Sequence, residues 1–252
     1  MTGTLHIVGL GPGAPEHRTG AAAASVRDAQ TVIGYGPYVD YCADLLSDAQ
    51  TVIRLAIGQE SERAGEAVRR AAAGERVALI STGDPGVYGM AARTFALAAE
   101  LAPEDRPRVE LIPGVTAALV GAARLGAPLS DDFAVVSLSD LNVEWETIER
   151  RLDALAASGV ALCLYNPRSR TRTWQLERVL ELLRRHRGDD TPVGIVTDAT
   201  RERERVTRAT LATVDEQQVT MRTVLIVAGE TTRDHGGWLL AQRAPQPEGA
   251  AR

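Results

Sequence analysis

Four short segments carry residue types suited to holding a small molecule: Gly9-Leu10-Gly11-Pro12-Gly13-Ala14-Pro15, Ser81-Thr82-Gly83-Asp84-Pro85-Gly86-Val87-Tyr88-Gly89, Ile112-Pro113-Gly114-Val115-Thr116-Ala117-Ala118 and Leu164-Tyr165-Asn166-Pro167-Arg168. Glycine lets a ligand approach the backbone closely, and a proline narrows the residue before it to extended geometry, which fixes Asp84. Asp84 can bind a ligand or cap a helix starting near Gly86, and Thr116 can cap or bind as well. The first segment formally fits G-x-G-x-x-G/A. Pro12 and Pro15 suit that turn poorly, however, and the next strand ends at Tyr35-Gly36 with no acidic residue, which argues against a nicotinamide or flavin site.

The absent residue types limit the chemistry. All 28 Lys+Arg positions are arginine, so no lysine can complete a Walker-type phosphate loop or form a Schiff base. Arginines would instead meet carboxylates with two-pronged guanidinium forks. Arg168, Arg170 and Arg172 follow the Asn166-Pro167 turn, and Arg201, Arg203 and Arg205 follow a later strand. The second cluster also reads as a solvated face salt-bridged to Glu202 and Glu204. The histidines, His6, His17, His186 and His235, lack metal-ligand spacing, so no metal cofactor is expected. Cys42 and Cys163 show no CxxC pattern and read as reduced thiols. A net charge of −5 disfavours nucleic acid as partner, and no apolar run reaches membrane-spanning length. The chain enters a strand-like run directly after Met1-Thr2-Gly3, without a targeting pattern, so a cytoplasmic protein is expected.

The elements that must position these segments alternate. Strand-like runs at 4–8, 31–35, 52–55, 76–81 and 109–112 are interleaved with helix-like runs at 19–29, 38–46, 60–73 and 87–100. Thr19 is the expected N-cap of the first helix. Such alternation predicts a parallel sheet flanked by helices. A second series follows: strands at 133–138, 160–165 and 192–197, with helices at 145–157 and 174–187. Its last two strands, at 205–211 and 222–227, leave little room for a helix, which predicts a mixed sheet with a hairpin. The expected organisation is an α/β domain over 1–118, a second α/β domain over 119–243 and a disordered tail over 244–252, with the boundary falling in 115–128.

Gly9-Leu10-Gly11-Pro12-Gly13, Gly83-Asp84-Pro85, Pro113-Gly114-Val115-Thr116-Ala117 and Tyr165-Asn166-Pro167, in this order, resemble the tetrapyrrole methylase family. The resemblance extends from about Leu5 to about Gly229. Within the family, Gly34-Tyr35-Gly36-Pro37-Tyr38, Ser137-Leu138-Ser139-Asp140-Leu141, Tyr165-Asn166-Pro167-Arg168-Ser169 and Trp174-Gln175-Leu176 are similar to members that methylate a precorrin in cobalamin synthesis. It implies two α/β domains with S-adenosylmethionine in the cleft between them, and a homodimer. The implied donor-binding residues are Pro12, Thr82, Gly83, Asp84, Val87, Thr116, Ala117, Asn166 and Ala199. Asp198 stands where these enzymes typically carry asparagine.

The resemblance implies methylation at C17 of precorrin-3B with ring contraction to precorrin-4, on a metal-free or cobalt-bearing macrocycle. Tyr35, Arg168 and Arg170 are the expected substrate-binding residues, with Tyr38 and Tyr41 as weaker aromatic candidates. Asp84 and Asp140 are the candidate bases for the contraction, and either could be a capping residue instead. An rRNA or diphthamide methylase would share the donor loops but accept a different substrate, and a binding module would hold the donor without turnover.

Overall fold

The structure, a computed structural model, describes residues 2–242, and these fall into two compact units divided after Ala117. The expected tail over 244–252 lies outside the described residues.

In the first unit, β1 (Thr4–Gly9), β2 (Thr31–Tyr35), β3 (Thr51–Leu55), β4 (Arg76–Ser81) and β5 (Arg108–Ile112) form one sheet in the order β3-β2-β4-β1-β5. All neighbours run parallel. Helices α1 (Gly20–Asp28), α2 (Gly36–Asp40), α3 (Glu60–Ala72) and α4 (Ala91–Ala99) connect them. Because successive strand residues face opposite sides, each strand feeds two cores. Leu5, Ile7, Ile33 and Leu79 pack with Ala64, Ala67 and Val68 of α3 and Ala98 of α4. On the other face, Val8, Val32 and Ile80 pack with Ala22 and Val26 of α1 and Val39 of α2. Thr19 caps α1 by accepting the Ala22 N–H at 3.1 Å, as its position predicts.

Two helices differ from the sequence reading. The run at 38–46 is the five-residue α2 followed by a 3-10 turn at Ala43–Leu45, because Gly36-Pro37 starts the helix early. The run at 87–100 becomes helical only at Ala91; residues 83–90, with four positions occupied by proline or glycine, form turns.

In the second unit, β7 (Phe133–Ser137), β8 (Ala161–Tyr165), β9 (Pro192–Thr197), β10 (Arg205–Thr210) and β11 (Thr223–Val227) form a mixed sheet in the order β10-β9-β11-β8-β7. α5 (Ala117–Leu125) leads into this unit, and β6 (Gly126–Ala127) follows it. α6 (Trp145–Ala157) and α7 (Gln175–His186) cover one face with Ile148, Leu152, Leu176, Val179 and Leu183. On the opposite face α5 sits so close that a Cβ on Gly121 would lie 2.8 Å from Val224. The expected hairpin is present but misplaced. It joins β9 to β10, while β10 and β11 flank β9 on either side and do not pair with each other. A further hairpin, β12 (Thr232–His235) and β13 (Trp238–Ala241), joins β6 in a small sheet. Its turn, Gly236-Gly237, has φ of 59° and 90°, the left-handed pair that closes tight hairpins. Cys42 and Cys163 are free and buried, and burial pushes their thiols up to about 11 and about 12.

Candidate functional site

In the first unit, β1 and β4 are neighbours, but α1 packs on one face of the sheet and α4 on the other. Their carboxyl ends therefore open a crevice at a topological switch point, where ligands of parallel α/β sheets bind. The glycine loops lie there. Gly11 and Gly83 form a small antiparallel bridge, with the Gly11 N–H donating to the Gly83 carbonyl at 3.2 Å and the Gly83 N–H to the Gly11 carbonyl at 2.7 Å. A Cβ on Gly9 would lie 2.7 Å from both the Gly114 nitrogen and the Gly83 oxygen. Three loops from three strands thus touch backbone to backbone, and only glycine fits between them. Gly83 differs: at φ 64°, its missing Cβ would meet nothing nearer than the Thr116 Cα at 3.9 Å. That opening is the space a ligand could use.

Asp84 locks this arrangement. Its Oδ1 accepts the Gly86 N–H at 2.7 Å and its Oδ2 accepts the Gly114 N–H at 3.0 Å. It is therefore not the N-cap of α4, which starts only at Ala91, behind Met90, with no side-chain cap. The carboxylate ties the β4 loop to the β5 loop. Of the sequence candidates, Pro12 is buried, and Thr82, Val87, Thr116 and Ala117 are half-buried on these same loops. Tyr35 stands at the start of α2 in edge-to-face contact with Tyr38, ring centroids 5.0 Å apart, and Tyr38 stacks on Tyr41 at 6.4 Å.

In the second unit, the β8 turn is built on strain. Asn166 has φ of 52°, rarely visited by non-glycine residues, and stands directly before Pro167, which narrows its choices further. Two bonds hold it. Its Nδ2 donates to Ser137 Oγ at 2.9 Å, and its carbonyl accepts from Arg172 Nε at 3.0 Å. Arg172 is only 5% exposed and turns inward, so it leaves the carboxylate-facing set the sequence assigned to it. Its guanidinium also reaches Asp140 Oδ1 at 3.6 Å and Ser139 Oγ at 3.4 Å. Asp140 Oδ2 accepts from Gln175 Nε2 at 2.8 Å. Arg168 is half-buried and donates to the Glu216 carbonyl at 3.3 Å, while Arg170 is exposed. Burial, reinforced by Glu177, holds the Glu216 carboxyl above the usual carboxylate range, against the pull of Arg168.

The β9–β10 loop has a second strained pair. Asp198 at φ 52° and Thr200 at φ 66° bracket Ala199. Asp198 is 4% exposed and pairs with Arg222 at 3.1 Å and Arg201 at 3.4 Å, which gives a reason for aspartate there. Glu204 accepts from the Thr200 N–H and from Arg124 at 2.9 Å, and so holds the loop to α5. Arg201 is thus paired with Asp198. The sequence singled out Arg172 and Ser137 but gave no signal that they hold Asn166, because that role comes from a turn that folds back on its strand.

A doubly wound unit with a glycine cradle at its switch point, followed by a mixed-sheet unit with strained strand-end turns, defines an α/β protein with a candidate small-molecule site in its first unit. The family model of Tetrapyrrole (Corrin/Porphyrin) Methylases matches residues 4–215, and the chain belongs to that family of methyltransferases. It is 41% identical over 252 residues to a precorrin-3B C(17)-methyltransferase of Sinorhizobium sp, covering 98% of this chain and 95% of the relative. It is 38% identical over 248 residues to a cobalt-factor III methyltransferase of Priestia megaterium, covering 98% of this chain; the chain spans about half of that relative, 46%. Among solved structures, the methyltransferase CobJ superposes with a TM-score of 0.90 at 34% identity, over 96% of this chain and 100% of that one.

Proposed function

We propose that this chain transfers a methyl group from S-adenosylmethionine to C17 of precorrin-3B, with ring contraction to precorrin-4, in cobalamin biosynthesis. The observation that carries this reading is the 41% identity over nearly the full length of a relative named for that reaction. A second reading, in which the acceptor is cobalt-factor III, is favoured by the Priestia relative. Both belong to the same chemistry and differ in the metal of the acceptor.

The donor supplies an electrophilic methyl on a sulfonium, and the glycine cradle fits such a group. Backbone-lined loops around Gly83 admit it without bulky side chains, and Thr82, Asp84, Val87, Thr116 and Ala117 lie on them. Pro12 shapes the β1 loop. In the second unit, Asn166 and Ala199 are assigned to the donor by the family resemblance. An electron-rich tetrapyrrole carbon needs no strong base for the methylation. The protein's work is orientation in a site that excludes water, an effect worth up to ~7–11 kcal/mol. Arg168 and Arg170 provide guanidinium forks for the acetate and propionate arms, and Tyr35 an aromatic edge for the macrocycle. Localisation in the cytoplasm fits this reading. Among the described residues no helix is long and apolar enough to cross a membrane.

Calorimetry with S-adenosylhomocysteine tests the donor half; one site per chain is expected. Turnover with precorrin-3B and with cobalt-factor III, run side by side, tests the acceptor. NADH binding without sulfonium binding, or turnover of neither acceptor, would overturn the reading.

A further inference from the structure

We propose that Arg172, acting with Ser137, is a positioning residue that clamps Asn166 in its strained conformation and thereby sets donor affinity. The proposal rests on Asn166 contacting the donor, as the proposed function has it. Four observations in the second unit carry the clamp. Asn166 sits at φ 52° before a proline, a conformation that persists only where its surroundings over-determine it. Both ends of the residue are held, the side chain by Ser137 Oγ at 2.9 Å and the carbonyl by Arg172 Nε at 3.0 Å. Arg172 is itself over-determined. Its own N–H donates to Ser169 Oγ at 2.9 Å, and its guanidinium reaches Ser139 Oγ, Asp140 and the Met221 sulfur at 3.1 Å. Finally, it is buried.

A buried guanidinium is costly unless paired and hydrogen-bonded. Its counterion is Asp140, at 3.6 Å, and Gln175 from α7 orients that carboxylate. One planar fork therefore fixes the β8 turn, the loop after β7 and the start of α7. Lysine could keep the charge beside Asp140, but a single ammonium cannot replace guanidinium N–H groups aimed at Asn166, Ser139 and Met221 together. A residue that only stabilised the fold would lower the melting temperature and leave the affinity of the folded protein unchanged. A positioning residue acts on affinity in protein that stays folded.

The test uses the full chain, with S-adenosylhomocysteine binding followed by calorimetry and folding by thermal melting. In folded Arg172→Lys, the dissociation constant is expected to rise about tenfold, the scale of a lost charged hydrogen bond. The donor KM should rise with it while kcat at saturating donor stays near wild type, the signature of lost uniform binding. Folded Arg172→Lys with wild-type affinity would overturn the proposal. Should that variant fail to fold, Ser137→Ala, which removes the other restraint on Asn166, decides: weakened binding supports the clamp and wild-type binding rejects it. Failure of the wild-type chain to bind the probe would instead remove the functional reading beneath it.

Discussion

At the scale of single residues, what a position lacks matters as much as what it carries. Gly9 and Gly114 are glycine because backbone fills the space a Cβ would need, whereas Gly83 is glycine by conformation and by the opening beside it. Substitution should separate these roles. Gly83→Val places a branched side chain in the opening at a φ of 64°, where L-residues pay roughly 1–2 kcal/mol. It is expected to stay folded with a lower melting temperature and to lose S-adenosylhomocysteine binding in calorimetry. Gly114→Ala drives a methyl into the Gly83 and Gly9 carbonyls and should instead unsettle the whole loop junction, seen as a larger loss of thermal stability. The glycines and the aspartate were legible in the sequence as a set, because Gly83-Asp84-Pro85 and Pro113-Gly114 restrict the backbone visibly. The division between packing and opening was not legible, since it depends on which loops meet.

At the scale of elements, the strands were legible because short, nearly continuous apolar runs bury both faces of a parallel sheet, as in Thr31–Tyr35 and Arg76–Ser81. The misread segments are those where glycine and proline compete with helical periodicity. Val87–Met90 has helix-compatible residues but belongs to the turn that Asp84 stabilises. The β10–β11 hairpin was expected because the two runs are close in sequence, yet β9 accepts both, a tertiary choice no local pattern encodes. α3 shows sequence acting directly. Its acidic first turn and basic last turn suit the helix dipole, and Glu66 accepts from Arg69 and Arg70. These bonds, Arg69 first, lower the Glu66 carboxyl from 4.5 to about 2. A carboxyl depressed on folding gives stability that is fully present above pH 4.5 and is lost as pH falls through about 2. Glu66 is half-buried but its partner Arg69 is exposed, so solvent screens the pairing and its contribution is small. Glu66→Gln should therefore lower the melting temperature slightly at pH 7 and not at all well below pH 2, with the two curves converging as pH falls from 4.5 through about 2. A constant gap across that range would show that the pairing contributes nothing to stability.

At the scale of the whole molecule, a homodimer is expected from the family resemblance, and light scattering across a wide concentration range should return twice the chain mass. The coupling of methylation to contraction is the more demanding expectation. Methyl transfer adds a carbon and its hydrogens to the macrocycle, but the contraction is a bond migration that only moves a proton within the system. Mass alone therefore confirms the first step and is blind to the second. A donor carrying a carbon-13 methyl, followed by carbon NMR, places the new methyl; the ring-carbon shifts then report whether the ring has contracted. Contraction needs the C20 hydroxyl to give up its proton as the bond migrates, and Asp84 and Asp140 were the carboxylates proposed to help. Both Asp84 oxygens accept backbone N–H groups, the geometry of a clamp, whereas Asp140 is 32% exposed and held by side chains alone. Asp140 is thus the more exposed of the two. Asp140→Asn keeps the shape and removes the charge, so it should slow contraction more than it weakens donor binding, and labelled but uncontracted macrocycle should accumulate. Equal loss of both steps would assign Asp140 to positioning alone. If the wild type itself released labelled, uncontracted product, the coupling would be wrong for this chain while the methyl transfer stood.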